Sequence, residues 1–208
     1  MGEVYILRLS DLRDQEEYLL DSADCQRKEK ALRFIRKDDY LRSLAAGYLM
    51  KKYLPGFSED RLRTGKDGKP FLAGGPAFSI SHAGDYVVLA WDGNADGIGV
   101  DVEPIREMEY YQPILPFYTT TEEQKAIGND AQKAVWIWTR KESLYKCVGE
   151  GISDFRELPD VLEDQALFSG ILCCLRSWKK SGHMFSIAWR GHSRLSLSIK
   201  AYVLEHTG

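Results

Sequence analysis

Two carboxylates at alternate positions mark one short run of this chain. Asp101 and Glu103 lie in the run GIGVDVE, residues 97–103, where apolar and acidic residues alternate. Because successive side chains of a β-strand point to opposite faces, this spacing predicts that both carboxylates project from one side of a sheet. Two like charges about 5 Å apart repel by roughly 3 kcal/mol at an effective dielectric constant of about 20. The run therefore predicts a compensating cation, and Mg²⁺ is the natural candidate.

A third carboxylate occurs later in a helical pattern. Glu142 and Lys146 are four residues apart in the run WTRKESLYK, residues 138–146, and they share a helix face with Trp138. Taken alone, this spacing also fits an intrahelical salt bridge worth about 0.3 to 0.5 kcal/mol beside a core tryptophan. Together with the carboxylate pair, it predicts a site for a cation and a phosphate.

Histidine and basic residues could supply the anion-binding side of such a site. His82 follows Ser81 at the end of a predicted strand, although a histidine at such a position is more often structural. Basic residues are dense between residues 27 and 42, where an exposed helix face is an equally good interpretation. They are Arg27, Lys28, Lys30, Arg33, Arg36, Lys37 and Arg42. Lys69, beside Pro70 in a predicted turn, adds nothing by itself.

Helical and strand patterns occur in the same order twice. Residues 26–54 read as one or two amphipathic helices, and residues 131–147 read as a long helix after a shorter one for which Thr121 is a candidate N-cap. Strand patterns follow each helical stretch, and those at 77–81, 86–91 and 97–103 predict an antiparallel meander. We therefore expect an α+β fold of two packed halves, residues 1–103 and 104–208.

Composition is that of an ordinary globular protein. The 208 residues are 44% hydrophobic, and a net charge of -3 gives no overall attraction to nucleic acid or an anionic membrane. The four cysteines show neither a CxxC pair nor the spacing of a disulfide framework, which favours reduced thiols. Neither a signal-like N-terminus nor a membrane-length apolar run is present, so we expect a soluble, cytoplasmic protein.

Four motifs follow one another along the chain. They are GKP at 68–70, FSISH at 78–82, GIGVDVE at 97–103 and WTRKESLYK at 138–146. In order and spacing they resemble the motifs of the 4'-phosphopantetheinyl transferase superfamily, in its larger, Sfp-type branch. The resemblance implies two α+β halves in a pseudo-twofold arrangement, with the active site in the cleft between them. It also implies transfer of the 4'-phosphopantetheine arm from coenzyme A to a serine of an apo carrier protein, with release of adenosine 3',5'-bisphosphate.

The resemblance, carried over position by position, implies a role for each motif residue. Asp101, Glu103 and Glu142 would bind Mg²⁺, and Lys146 would contact the pyrophosphate and stabilise the leaving bisphosphate. His82 and the Ser81 backbone would hold phosphate. Around the adenosine end would lie Arg27, Lys30, Arg42 and Lys69, with Ser43 near the base. Asp67 stands where relatives can carry an aromatic residue, so the resemblance implies no adenine stacking there. Lys141 belongs to the motif without an assigned contact.

The acceptor hydroxyl also needs a base. The resemblance leaves two candidates, Glu142 acting with a metal-bound water and Glu122, and we favour Glu142 because it is tied to the metal. We expect a monomer, because two fused halves already build a whole cleft.

The carrier protein is left open by the sequence. Carriers of fatty-acid, polyketide and nonribosomal-peptide synthesis all present a serine at a helix start. We expect residues 107–121 to select among them through Met108, Tyr110, Tyr111 and Phe117, which could equally be core residues. Two other functions stay open. One is another Mg²⁺-dependent phosphoryl-transfer or nucleotide-hydrolysing enzyme, although the sequence has no Walker A loop and no kinase signature. The other is a non-catalytic binding module.

Overall fold

A group of helices followed by a group of strands occurs twice after the first strand in the computed structural model, which describes residues 2–23, 25–65, 68–149, 154–191 and 198–202. The helices are α1 (Glu16–Ser22), α2 (Cys25–Leu32), α3 (Lys37–Tyr53), α4 (Met108–Tyr111), α5 (Thr121–Ile127) and α6 (Ala131–Val148). The strands are β1 (Glu3–Arg8), β2 (Leu62–Thr64), β3 (Pro70–Leu72), β4 (Ala77–Ala83), β5 (Tyr86–Asp92), β6 (Gly97–Pro104), β7 (Gln165–Phe168), β8 (Ile171–Lys180), β9 (His183–Arg190) and β10 (Ser198–Tyr202). The predicted α+β class is confirmed.

Two four-stranded sheets form the framework. The first has the order β10-β1-β5-β4, and the second has the order β6-β9-β8-β7. β10 runs parallel to β1, and the other neighbours within both sheets are antiparallel. β2 and β3 form a separate antiparallel pair.

The predicted meander is wrong at its third strand. β4 and β5 pair as expected, but β6 leaves the first sheet and pairs with β9, with Asp101 opposite Ser186. β4 and β6 still lie side by side, and the Val100 amide donates to the Ser79 hydroxyl at 3.1 Å. Side chains, not a ladder of backbone hydrogen bonds, therefore join the two sheets. A local alternation of apolar residues identifies a strand but not its pairing partner.

One long helix covers each sheet. α3 packs on β1 and β5, and α6 packs on β6, β8 and β9. A third apolar layer lies between the sheets and includes Val88, Val100 and Ile187, all 0% exposed. β6 belongs to the second sheet and β10 to the first, so the two predicted halves exchange strands. The domain boundary and the twofold relation stay predictions.

Local sequence signals mark both ends of the helix α6. The Asp130 carboxylate accepts hydrogen bonds from the Gln132 and Lys133 amides at 2.8 and 3.2 Å, which satisfies free N–H groups of the first turn. The helix ends at Gly149, whose φ of 80° favours glycine.

The state of the cysteines and the lengths of the apolar helices can be compared with the expectations from the sequence. Cys147, Cys173 and Cys174 are free thiols, and the first two are buried. Within the described ranges, every helix is too short or too polar to cross a membrane.

Candidate active site at the junction of the two sheets

Glycine and the two predicted carboxylates share one face of β6. Gly99, Asp101 and Glu103 alternate along the strand, so their side-chain positions point the same way. α6 lies against this face so closely that a Cβ atom on Gly99 would come within 1.9 Å of the Ser143 carbonyl oxygen. Only glycine therefore permits this approach of helix to strand. The approach brings the charged face of α6 to the two carboxylates.

Of the three carboxylates in this cluster, that of Asp101 is the most enclosed, at 3% exposed. Its Oδ1 accepts hydrogen bonds from Lys146 Nζ at 2.6 Å and from Ser81 Oγ at 2.8 Å. Its Oδ2 is buried and has no hydrogen-bond partner among the described residues. Burial raises the pKa of Asp101, although Lys146 and the Ser81 hydroxyl act in the opposite direction. An unpaired buried carboxylate oxygen of this kind fits coordination of a cation.

Glu103 and Glu142 extend the acidic cluster. Burial, followed by the charges of Asp101 and Glu142, raises the pKa of Glu103 to about 7. Burial also raises the pKa of Glu142 to about 7, with Lys146 opposing and Asp101 adding to the effect. Both shifts mean that the carboxylates ionise at a free-energy cost, which a bound cation would offset.

The chemical type of the donor atoms suits Mg²⁺, whereas their spacing in the structure is too wide to hold the ion. Carboxylate oxygens are the ligands that this hard cation prefers. Within the described ranges, however, no three His, Cys, Asp or Glu side chains lie close enough together to hold a metal ion. The Mg²⁺ site therefore stays a prediction supported by the donor types and by the unpaired Asp101 oxygen.

The ammonium of Lys146 lies between the acidic groups. Beyond Asp101, it contacts Glu142 Oε2 at 3.8 Å and donates to the Val100 carbonyl at 3.3 Å. Burial alone would lower the pKa of Lys146, but Asp101 and Glu142 outweigh it and the pKa is raised. Lys146 is therefore a protonated donor, and its side chain is 23% exposed, so a phosphate oxygen could reach it.

β4 and α3 contribute groups from the first sheet. Although solvent reaches the His82 side chain, desolvation lowers the pKa of its imidazole, and Arg42 and Lys146 act in the same direction. Arg42 is held in place by the Gly84 carbonyl, to which its Nη2 donates at 2.6 Å, and by Asp39 at 2.6 Å. The structure thus brings Ser81 and His82 close to Lys146, with Arg42 near His82.

Residues predicted for the adenosine end lie on α2 and α3. Arg27 is buried against α3, where a Cβ atom on Gly47 would lie 2.9 Å from Arg27 Cγ. Desolvation and the nearby Arg27 lower the pKa of Lys30. Ser43 is 5% exposed, and its hydroxyl has no hydrogen-bond partner within the described part of the chain. Asp67 lies outside the described residues.

The ammonium of Lys69 is directed at backbone carbonyls. It donates to the Ile98 carbonyl at 3.0 Å and to the Lys146 carbonyl in the last turn of α6. Lys69 therefore joins β6 to the C-terminal end of α6, which stabilises the helix end. With Ser79, Tyr145 and Lys146 it also lines a cavity of about 220 Å³.

The start of α5 differs from the prediction by one residue. Thr120 is the N-cap, because its hydroxyl accepts from the Glu123 amide at 3.2 Å while the Glu123 carboxylate accepts from the Thr120 amide at 2.8 Å. The predicted base Glu122 is 65% exposed and lies 3.9 Å from Lys125. Sequence reasoning missed Glu123, which is 0% exposed and pairs with Lys141 at 3.1 Å. The T-x-x-E spacing of a capping box was the available signal.

Residues 107–121, the linking segment just after the predicted boundary between the two halves, hold an apolar cluster that is divided between core and surface. Met108 and Tyr111 are buried, whereas Tyr110 and Phe117 are 52% and 67% exposed. Phe117 lines a cavity of about 390 Å³. Its other lining residues are Ile114, Tyr118, Trp138, Asp154, Phe155 and Arg156.

Similarity to known proteins agrees with this site. Residues 97–194, which contain both β6 and α6, match the family model of the 4'-phosphopantetheinyl transferase superfamily. This match spans a little under half of the chain, and over it the chain is similar to the 4'-phosphopantetheinyl transferase superfamily. The resemblance predicted from the motifs is therefore confirmed over β6 and α6, the elements that carry the carboxylates.

Named relatives are transferases of this superfamily. The 4'-phosphopantetheinyl transferase Sfp of Bacillus subtilis (strain 168) is 28% identical over 152 residues, covering 68% of this chain and 66% of Sfp. The transferase gsp of Aneurinibacillus migulanus is 28% identical, covering 65% and 60%. The L-aminoadipate-semialdehyde dehydrogenase-phosphopantetheinyl transferase of Xenopus laevis is 31% identical, covering 66% and 54%. The matches thus span between about half and two thirds of these relatives.

Proposed function

We propose that this protein transfers the 4'-phosphopantetheine arm from coenzyme A to a serine of an apo carrier protein, with Mg²⁺ as cofactor. The observation that carries the proposal is the cluster of Asp101, Glu103, Glu142 and Lys146 where α6 meets β6. The relatives are named as phosphopantetheinyl transferases, which supports the proposed reaction type.

Asp101, Glu103 and Glu142 are the proposed Mg²⁺ ligands. Their carboxylate oxygens suit the ion, and Asp101 Oδ2 is a ligand atom that has no hydrogen-bond partner among the described residues. When bound, Mg²⁺ would neutralise the negative charge of the coenzyme A pyrophosphate, so that a nucleophile could attack the phosphorus more easily. The same binding would offset the mutual repulsion of the three carboxylates.

The reaction is a displacement at phosphorus. The serine oxygen forms a bond to the phosphorus that carries the pantetheine arm, and the bond from that phosphorus to the bridging oxygen breaks. Adenosine 3',5'-bisphosphate leaves with the bridging oxygen. Glu142 takes the hydroxyl proton, because its carboxylate lies on the face of α6 that meets β6, within 3.8 Å of the Lys146 ammonium. Glu122 is the weaker candidate, since its side chain is 65% exposed and pairs with Lys125.

Cationic and hydroxyl groups of the chain would hold the phosphates. Lys146 donates to the oxygens that gain negative charge as the bisphosphate leaves. Ser81 and His82 lie beside it and would contact the phosphates, with the unprotonated imidazole still offering one N–H donor. Arg42 would contact the adenosine end of coenzyme A. Further coenzyme A contacts are proposed for Arg27, Lys30, Ser43 and Lys69.

The carrier protein would dock beside the linking segment. Phe117 is 67% exposed and lines an apolar cavity with Trp138, which lies one helical turn before Glu142 on α6. An apolar side chain next to the acceptor serine could enter this cavity while the serine reaches Glu142. The class of carrier, the monomeric state and the cytoplasmic location stay predictions.

The test is arm transfer to carriers of three classes. The protein is incubated with coenzyme A, Mg²⁺ and one apo carrier each from fatty-acid, polyketide and nonribosomal-peptide synthesis. Intact-mass spectrometry should show one added phosphopantetheine group on at least one carrier. Glu142→Gln should abolish the gain, whereas Glu163→Gln, at an exposed carboxylate, should not. No gain on any carrier, with a known transferase working in parallel, would refute the proposal. Nucleotide turnover without a carrier would favour a different phosphoryl-transfer enzyme.

A further inference from the structure

One ion pair of the second half is completely buried. The side chains of Glu123 on α5 and Lys141 on α6 are both 0% exposed, and their charged groups lie 3.1 Å apart. The carboxylate also accepts hydrogen bonds from the Thr120 and Val161 amides, each at 2.8 Å. The ammonium donates to the Leu158 carbonyl at 3.3 Å. Glu123 and Lys141 therefore join α5, α6 and the segment before β7.

Lys141 directly precedes Glu142 on α6. Successive helix residues point about 100° apart, so the direction in which Lys141 is held sets the direction in which Glu142 points. Arg140 adds a second link between α6 and the segment before β7, because it is 1% exposed and pairs with Asp164 at 3.2 Å. Two buried cations thus bind the helix to the segment at 158–164, and Glu142 and Lys146 are turned towards β6.

Stability alone gives little reason for this ion pair. Replacing a buried ion pair by apolar residues of similar volume is often neutral or stabilising, because desolvation of both charges offsets their attraction. Burial indeed lowers the pKa of Lys141, against the opposing effect of Glu123. A role in fixing one orientation of the helix accounts for the pair better.

We propose that Glu123 is a positioning residue that acts through Lys141 to hold Glu142 beside Asp101 and Lys146. The proposal rests on the transferase function proposed above. Glu123 itself touches neither substrate nor the reacting atoms, since its carboxylate is enclosed by Thr120, Lys141 and Val161.

The double variant Glu123→Gln/Lys141→Met tests this role, because it removes both charges together and leaves neither buried alone. We expect it to fold, with kcat lowered about 10- to 100-fold, since a displacement of about 1 Å costs that much. With Mg²⁺ at a saturating concentration for both proteins, KM for coenzyme A should not change. Titration calorimetry without substrates should show weaker Mg²⁺ binding. Lys133→Met, the same change at an exposed position of α6, should match the wild type in all three measurements.

Other outcomes separate the two proposals. If the wild type is active and the folded double variant has the same kcat and the same Mg²⁺ affinity, the positioning role is overturned while the transferase function stands. If the double variant does not fold, Glu123→Asp serves instead, because it keeps the charge but withdraws the carboxylate by one methylene. Wild-type kcat and Mg²⁺ binding in Glu123→Asp would equally overturn the role. A wild type inert on every carrier would refute the transferase function itself.

Discussion

Replacing Glu103 by glutamine should stabilise the metal-free protein at about pH 8 while weakening its response to Mg²⁺. Burial and the neighbouring charges of Asp101 and Glu142 raise the pKa of Glu103 to about 7 in the folded protein, against an ordinary value of 4.5. The folded state therefore binds the proton more tightly than the unfolded state does. The resulting penalty is absent below about pH 4.5, grows as the pH rises and is complete above about pH 7.

The size of the penalty follows from the two pKa values. A pKa of about 7 against 4.5 corresponds to about 3.4 kcal/mol, at about 1.36 kcal/mol for each pH unit. Glu103 is half-buried and shares its charge interactions with Glu142, so we expect the variant to gain about 1 to 3 kcal/mol. Glutamine keeps the shape of the side chain and cannot ionise, which isolates the charge.

Urea denaturation followed by tryptophan fluorescence would measure the effect. In EDTA, the free energy of unfolding of Glu103→Gln should exceed that of the wild type at about pH 8 and match it at about pH 4.5. Adding Mg²⁺ should stabilise the wild type more than the variant, because a ligand that binds only the folded state stabilises it by mass action. Glu163→Gln should behave as the wild type throughout. A gain of equal size at both pH values would refute the electrostatic reasoning.

Three further predictions concern single side chains. Gly99→Ala should lower the free energy of unfolding by about 2 kcal/mol or more, since the new Cβ would lie 1.9 Å from the Ser143 carbonyl oxygen; a loss below about 0.5 kcal/mol in urea would contradict the close packing. Lys146→Met should lower kcat for arm transfer about 100-fold, through loss of the donor beside Asp101, and a wild-type rate would exclude that role. Thr120→Ala should cost about 1 kcal/mol of unfolding free energy, and an unchanged thermal midpoint would argue against the capping box.

Local sequence patterns predicted the charged faces correctly. The alternation in residues 97–103 placed Asp101 and Glu103 on one side of β6, because the side-chain period of a strand is two. The spacing of four placed Glu142 and Lys146 on one face of α6, where they lie 3.8 Å apart. Both are properties of a single element and need no knowledge of its neighbours.

The error at the start of α5 arose where two interpretations of the sequence were nearly equal. Thr120 and Thr121 are adjacent, and so are Glu122 and Glu123. A shift of one residue in the helix start exchanges an exposed glutamate for one that is 0% exposed. Burial on the far side of α5, against Lys141 and the segment before β7, decides between them. That contact involves residues distant in the chain and has no local signature.

By itself, the sequence determined which residues carry charge, how they alternate along β6 and α6, and which family the motifs match. Only the tertiary structure decided that β6 pairs with β9 and that glycine at 99 admits α6 against the strand. It also decided that the Lys69 ammonium binds backbone carbonyls and that Lys146 bonds to Asp101. The physical reason is that pairing and close approach depend on the shape of both partners, whereas periodicity depends on one element alone.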